Sequence, residues 1–371
     1  MKSVYIKNYK NLNDFKIESL SRVNLIVGKN SVGKSNLLEA ISIFAGNGSV
    51  YQLYQILKSR IEDLGAFRNN GEITSERELS AFLPLINGRS RSLFRKEGIE
   101  IGDESGSTKI YIGKAFDLLI NNDGSKIYKQ VSEKEMTEED YKSIVISYLS
   151  LISVIDNQKE DIIDFGGGGV KDLKMIDDCK CERCSFEHIT SKCDVVGRTN
   201  AWSSIALSDD KSYLIEALNI INGDIEDFNM LPDEDSIIKP YVKVKGYEDK
   251  VPLNSMGDGV QKLLIVVMNL IKCKDGIFLI DEIENGLHYS VQTKLWEMIF
   301  MLSAKLNIQI FATTHSDDCI KGFAKVNSET KIDGESVGRI IRLDKINDAI
   351  IAKDFDSERL DFIANEDIDI R

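Results

Sequence analysis

Gly28-Lys29-Asn30-Ser31-Val32-Gly33-Lys34-Ser35 is a complete G-x-x-x-x-G-K-S phosphate-binding loop. An apolar, strand-like run, Val23-Asn24-Leu25-Ile26-Val27, precedes it, and a helix-like run from Asn36 to Ile41 follows. That strand–loop–helix order is the context the motif requires. The glycines let backbone N–H groups curl around a polyphosphate, and the helix N-terminus adds a favourable dipole. Lys34 would reach the β- and γ-phosphates, and the Ser35 hydroxyl would ligate Mg²⁺. The candidate cofactor-binding residues here are Gly28, Asn30, Ser31, Gly33, Lys34, Ser35 and Asn36. Val32 is bulkier than the small residue expected at its place.

The chain has 371 residues, enough for two domains or one large domain with an insertion. Hydrophobic residues make up 42% and charged residues 29%, the balance of an ordinary soluble protein with a sizeable core. No apolar run approaches bilayer-spanning length, and Met1 to Ile6 starts a strand rather than a signal peptide. These points place the chain in the cytoplasm, away from membranes. The net charge of −13 repels phosphate backbones at long range, so nucleic acid is not indicated by charge, although a local basic patch would still permit it.

The motifs cluster at the two ends. Residues 1–45 read strand, turn, strand, phosphate loop, helix, and the next dense set occupies 250–320. The stretch between Ser35 and Ser255 far exceeds the dozen or so residues of a simple crossover. The expected division is therefore a core of 1–48 and 240–371 with an elaboration over 49–239. Within it, about 50–87 reads as helical, 92–131 as short strands, and 138–156 as a helix with an acidic start. Gly166 to Gly169 reads as a loop. Ser208 is a candidate cap for a helix over 209–222, and Tyr241 to Lys245 alternates as a strand. The stretch 336–371 reads as strands and a short acidic helix.

Gly276-Ile277-Phe278-Leu279-Ile280-Asp281-Glu282 is an apolar, β-rich run ending in two acids, and reads as a parallel strand buried on both faces. Such an end lies where ligands bind in open α/β sheets. Asp281 can hold Mg²⁺ together with Ser35, and Glu282 can act as general base toward an attacking water. Asn254-Ser255-Met256-Gly257-Asp258-Gly259 precedes a strongly apolar helix; Ser255, Gly257 and Gly259 would form a second anion-binding helix start. Ala312-Thr313-Thr314-His315-Ser316 follows another apolar strand, and His315 at its end can hydrogen-bond a γ-phosphate. Lys34, Glu282 and His315 are thus the candidate catalytic residues.

Cys179, Cys181, Cys184 and Cys193 cluster in 179–193. Cys181, Cys184, His188 and Cys193 come one residue short of a zinc-knuckle spacing, leaving Zn²⁺ and reduced surface thiols both open.

Phosphate loop, Ser-x-Gly element, Asp-Glu strand and terminal His, in this order, resemble the ABC-type ATPases of the SMC-like branch. Asp281-Glu282-Ile283-Glu284-Asn285-Gly286-Leu287-His288 is similar to the Walker B and D-loop of RecF-like and OLD-like (overcoming-lysogenization-defect) ATPases, and the ending Ala364 to Arg371 is similar to small prokaryotic members of that group. The resemblance implies an α/β fold: a P-loop ABC-type ATPase head with a large mixed α+β insertion between Walker A and the signature. It implies ATP and Mg²⁺ as cofactors. It also implies a homodimer or higher homo-oligomer sandwiching nucleotide, with Ser255 and Gly257 facing the γ-phosphate held by a partner's Lys34. Asn285 to His288 would lie near the dimer seam, with His288 equally readable as a surface residue. Gln52 and Gln55 are the Q-loop candidates by proximity alone.

There is no long coiled coil, and too few residues follow His315 for a Toprim domain, so any nuclease is expected on a separate chain. Asp367 and Asp369 mimic a D-x-D metal pair without an evident acidic core beside them. The reading that follows is an ATPase that assembles on ATP as sensor or scaffold, controlling an effector in antiphage defence of the PARIS or Septu type. Its rivals are a RecF-like DNA-repair ATPase and a scaffold that binds ATP without hydrolysing it.

Overall fold

Val4–Lys7 (β1) and Phe15–Ile17 (β2) form a short antiparallel pair, and Val23–Val27 (β3) follows with every residue buried. The computed structural model describes residues 1–60, 79–122, 125–158, 160–163, 183–190, 202–203, 205–221, 223–232, 238–332 and 335–355. After β3 come α1 (Lys34–Ala45), α2 (Val50–Ser59), α3 (Arg91–Lys96), β4 (Ile99–Gly102), β5 (Ser107–Asn122) and β6 (Ser125–Ser132). Next are β7 (Ile144–Ile155), β8 (Glu160–Ile163), β9 (Phe186–Ile189), α4 (Lys211–Ile221), β10 (Ile225–Pro232), β11 (Ile238–Val244) and β12 (Val251–Pro252). Then α5 (Asp258–Lys272), β13 (Ile277–Ile280), α6 (Gln292–Lys305), β14 (Gln309–Thr313) and α7 (Asp317–Glu329) complete the motif-bearing part. A small hairpin, β15 (Lys331–Ile332) and β16 (Glu335–Ser336), leads into β17 (Gly338–Ile346) and β18 (Ala349–Phe355).

These elements fall into two compact units. One comprises Met1–Ser19, Glu39–Arg183 and Lys345–Ile351; the other comprises Leu20–Leu38, Cys184–Asp344 and, in its described part, 352–355.

The second unit holds the motifs. Its six-stranded sheet runs β18-β17-β3-β14-β13-β9. β3 lies between β14 and β17, and all four pairings from β17 to β9 are parallel. An apolar run buried on both faces is what such a central position demands. Asn24, the polar exception in β3, is satisfied: its amide donates to the carbonyls of Ser21 at 2.7 Å and Ile310 at 3.1 Å. The register decides where the motifs meet. Thr313 pairs with Ile26 and Ile280 with Ala312, so β3, β13 and β14 end together at their carboxyl ends.

Helices α4, α5, α6 and α7 contribute to the same core. α5 buries Leu263, Leu264, Val266, Val267, Met268 and Leu270. Trp296 and Phe300 of α6 pack edge-on against Phe323 of α7, with centroids 4.9 and 5.4 Å apart, and the Trp296 indole donates to the Cys319 carbonyl. Aromatic pairs in this geometry contribute beyond their buried area. A three-stranded antiparallel sheet, β10-β11-β12, belongs to this unit as well.

The first unit is built on an antiparallel sheet, β2-β1-β4-β5-β7-β8, with β6 paired to β5. Its α1 residue Glu39 is buried with two cations. Lys10 Nζ lies 2.9 Å from one carboxylate oxygen and Arg60 Nε 2.6 Å from the other, and the Tyr9 hydroxyl donates to the carboxylate at 2.9 Å.

Three expectations change. The helix expected over 138–156 is a single 3-10 turn, Asp140–Ser143, followed by strand β7. Its run Ile144-Val145-Ile146, continued by Ile152, Val154 and Ile155, is rich in β-branched residues, which favour a pleated surface over a helix. The helix expected from 209 begins at Lys211, and Ser208 does not cap it by side chain: its hydroxyl donates back to the Ile205 carbonyl at 3.0 Å. The expected division of 1–48 and 240–371 against 49–239 also differs from the observed units, since β9 lies within the middle stretch yet pairs with β13 in the parallel sheet. Four residues with no flanking turn signal leave nothing for a sequence pattern to detect. Gly166 to Gly169 and the ending Ala364 to Arg371, including Asp367 and Asp369, lie outside the described residues.

Candidate functional site

The phosphate loop leaves β3 at Gly28, whose φ of +138° suits glycine, and whose position is closed to any side chain by the Leu343 carbonyl. Ser31 and Gly33 also have positive φ, at 64° and 107°, so successive peptides turn inward as an anion-binding concavity. Asn30 and Ser31 are exposed at the loop's tip, and Val32, the bulky departure, is buried. α1 starts at Lys34, so Ser35 and Asn36 lie in its first turn. The Lys34 ammonium donates to the carbonyls of Gly28 at 2.6 Å and Lys29 at 3.1 Å. Burial pushes its pKa down to about 8, against the opposing pull of Asp281, Glu284 and Glu282.

Asp281 follows the last residue of β13 and is gripped from helix α1 and from strand β14. The Ser35 hydroxyl donates to Oδ2 at 2.7 Å and the Thr313 hydroxyl to Oδ1 at 2.5 Å. A hydroxyl and a carboxylate side by side are hard oxygen donors of the kind Mg²⁺ takes beside a phosphate. The residues therefore fit the metal the phosphate loop implies. Glu282 has φ +51°, a left-handed conformation that costs free energy for a residue with a side chain. Thr313 holds it there, accepting the Glu282 N–H at 2.8 Å with its hydroxyl and the Ile283 N–H at 3.0 Å with its carbonyl.

His315 lies just past β14. Its Nδ1 is 3.4 Å from the Lys34 ammonium. Burial, then the nearby Lys34 charge, lowers its pKa, so the ring is neutral at neutral pH. With Lys34 as donor, Nδ1 is the acceptor and Nε2 carries the proton. The His315 backbone N–H donates to Glu284 Oε1 at 2.7 Å. Ser316 caps α7 by accepting from the Cys319 N–H, at 3.3 Å.

A family model described as an AAA ATPase domain matches residues 1–165 and 194–320. The chain belongs to this AAA ATPase domain family. It is similar to an "ATP/GTP phosphatase" of Helicobacter pylori, 27% identical over 349 residues covering 86% of each chain. A shorter stretch of 45 residues, 12% of each chain, is 47% identical to the "DNA replication and repair protein RecF" of Caldanaerobacter subterraneus. Two solved structures align along most of its length: the SMC head domain from Thermotoga maritima (TM-score 0.44, 10% identity, 96% of this chain and 98% of that one) and an SmcHead bound to the C-winged helix domain of ScpA (0.47, 12%, 96% and 98%).

In this AAA ATPase domain the remaining sequence-derived residues divide. Ser255 is exposed, and Gly257 precedes α5 with φ +98° and open space where a side chain would stand. Gly259 lies near Leu287. His288 is exposed, its ring 4.2 Å from that of Tyr289 and its Nδ1 2.9 Å from the Ser290 hydroxyl. The Gln52 amide is used on the Ser42 hydroxyl at 2.9 Å.

Zinc gains no support. Cys181 and Cys193 lie outside the described residues, while Cys184 is in no disulfide and His188 is a residue of strand β9, paired with Leu279. Among the described residues no group of three or more His, Cys, Asp or Glu is arranged to hold a metal. Nor, among them, is any helix long and apolar enough to cross a membrane.

Thr313 and Glu284 were legible as letters but not as parts of this site. Thr313 sits inside the quoted Ala312 to Ser316 run and Glu284 inside the Asp281 to His288 run. Their roles depend on strand register, which brings Thr313 to Asp281 and Glu284 to His315.

Proposed function

We propose that this AAA ATPase hydrolyses ATP with Mg²⁺, assembles on ATP as a homodimer or higher homo-oligomer, and serves as sensor or scaffold for a separately encoded effector, such as a nuclease, in bacterial antiphage defence. The observation that carries the catalytic part is the constellation of Ser35 and Asp281 in contact, with Glu282 held beside them by Thr313. In this reading Lys34 binds the β- and γ-phosphates, and Ser35 and Asp281 hold the metal. Mg²⁺, when bound, neutralises charge developing on the phosphate oxygens. Glu282 takes the proton of the attacking water as general base. Neutral His315 donates from Nε2 to a γ-phosphate oxygen.

The name of the Helicobacter relative supports nucleotide hydrolysis. The approach to α5, where Ser255 and Gly257 are exposed just before the helix and Gly259 lies in its first turn, suits a phosphate presented by a second protomer. The defence role rests on the Asp281 to His288 form. The test is Glu282→Gln, which keeps the shape but removes the base. ATP turnover falls by at least about a hundredfold, while ATP accumulates a stable oligomer, read by light scattering. Unchanged turnover and unchanged mass would overturn the assignment.

A RecF-like DNA-binding role is the second reading, favoured by the short, highly identical match. The net charge of −13 counts against it. DNA affinity falling steeply with salt would favour it.

A further inference from the structure

Glu284 carries two differently used oxygens. Oε1 accepts the His315 N–H at 2.7 Å. Oε2 is shielded from solvent and has no hydrogen-bond partner. A carboxylate oxygen in that state is costly, and a donor brought to it would be stabilising. One candidate donor is on α5. The Lys262 ammonium, partly buried, already donates to the carbonyl of Asn285, the residue after Glu284, and sits in the electrostatic field of Glu284 and Glu282. α5 begins at Asp258, directly after Gly257 and three residues past Ser255.

We propose that Glu284 is a positioning residue that couples His315 to α5, with Lys262 moving from the Asn285 carbonyl to Glu284 Oε2 when nucleotide loads. The carboxylate fixes the backbone of His315, and so the ring beside Lys34. The exchange of Lys262 partners links the occupancy of that ring to the helix whose start presents Ser255. Glycine at 286, with φ +74°, gives the Asn285 loop the freedom to release the ammonium. The turnover part of this proposal rests on the ATP-hydrolysing reading above; the His315 tie does not.

The test uses the full chain with Glu284→Ala, Glu284→Gln, Lys262→Met and the Glu284→Gln/Lys262→Met double variant. In nucleotide-free protein, hydrogen exchange of the His315 amide is measured. It quickens about tenfold or more in Glu284→Ala and stays protected in Glu284→Gln, whose amide oxygen still accepts. In turnover with MgATP, Glu284→Gln and Lys262→Met each lower kcat about tenfold with KM within threefold, and the double variant is no worse than either. A merely structural role would move stability and KM instead of leaving this pattern. Unchanged His315 protection in Glu284→Ala, wild-type kcat in Glu284→Gln, or multiplying losses in the double variant would each overturn the proposal. Should Glu284→Ala not fold, the Glu284→Gln and Lys262→Met arms decide it. A wild-type chain without turnover refutes the ATPase reading, and the exchange result then still decides the tie to His315.

Discussion

Lys34 is 6% exposed, its ammonium bonds two loop carbonyls, and burial holds its pKa at about 8, well below the usual lysine range. The unfolded chain keeps that lysine protonated up to about 10.4. Between those values the unfolded state binds the extra proton, so folding stability gains with rising pH from this group and is penalised below about 8. Lys34→Met is therefore expected to raise or preserve stability at pH 7 while lowering ATP affinity at least about tenfold, roughly 1.4 kcal/mol. Denaturant midpoints of the two proteins should also converge as pH rises from about 8 to about 10.4. A Lys34→Met protein less stable than wild type at pH 7, or one that binds ATP normally, would contradict this. The phosphate loop was readable because its glycines and lysine are spaced along the chain itself. Thr313 and Glu284 were not, because each acts across strands, through a register that no local spacing encodes.

At the scale of elements, α1 joins two kinds of chemistry. Its first turn carries Lys34 and Ser35, and further along Glu39 is buried between Lys10 and Arg60 with the Tyr9 hydroxyl on the same carboxylate. Removing one member of such a group leaves a buried charge uncompensated. Glu39→Ala is expected to cost on the order of 3–5 kcal/mol, measured as a lower urea midpoint, whereas replacing Glu39 and Lys10 together by Leu and Met should cost far less. Equal losses in the two variants would show that the pairing contributes little. β7 shows the complementary limit of sequence reading. Glu138-Glu139-Asp140 imitates an acidic helix start, but the run of β-branched residues from Ile144 decides the outcome once β5 and β8 flank it.

Across the whole molecule, the groups proposed for catalysis come from the phosphate loop near the start of the chain and from the 281–315 stretch far along it, an order read from the motifs alone. The exposure of Ser255 within one protomer leads to a test of assembly. Ser255→Arg should leave ATP affinity within about threefold, since Lys34, Ser35 and Asp281 are untouched, but should abolish ATP-dependent oligomerisation and most turnover by placing a bulky cation where a second protomer's nucleotide would sit. Light scattering with and without ATP reads this directly, and a normal oligomer in Ser255→Arg would dismiss the sandwich. The middle of the chain was less legible, because antiparallel strands assembled from distant segments carry no motif. One consequence of β9 concerns anyone trimming this protein to a minimal catalytic fragment. Cutting out the whole middle stretch as a cassette would also remove Phe186–Ile189 and turn Ile277–Ile280, four buried apolar residues, into a raw sheet border inviting another chain to pair with it. A usable truncation keeps that short rib and splices on either side of it.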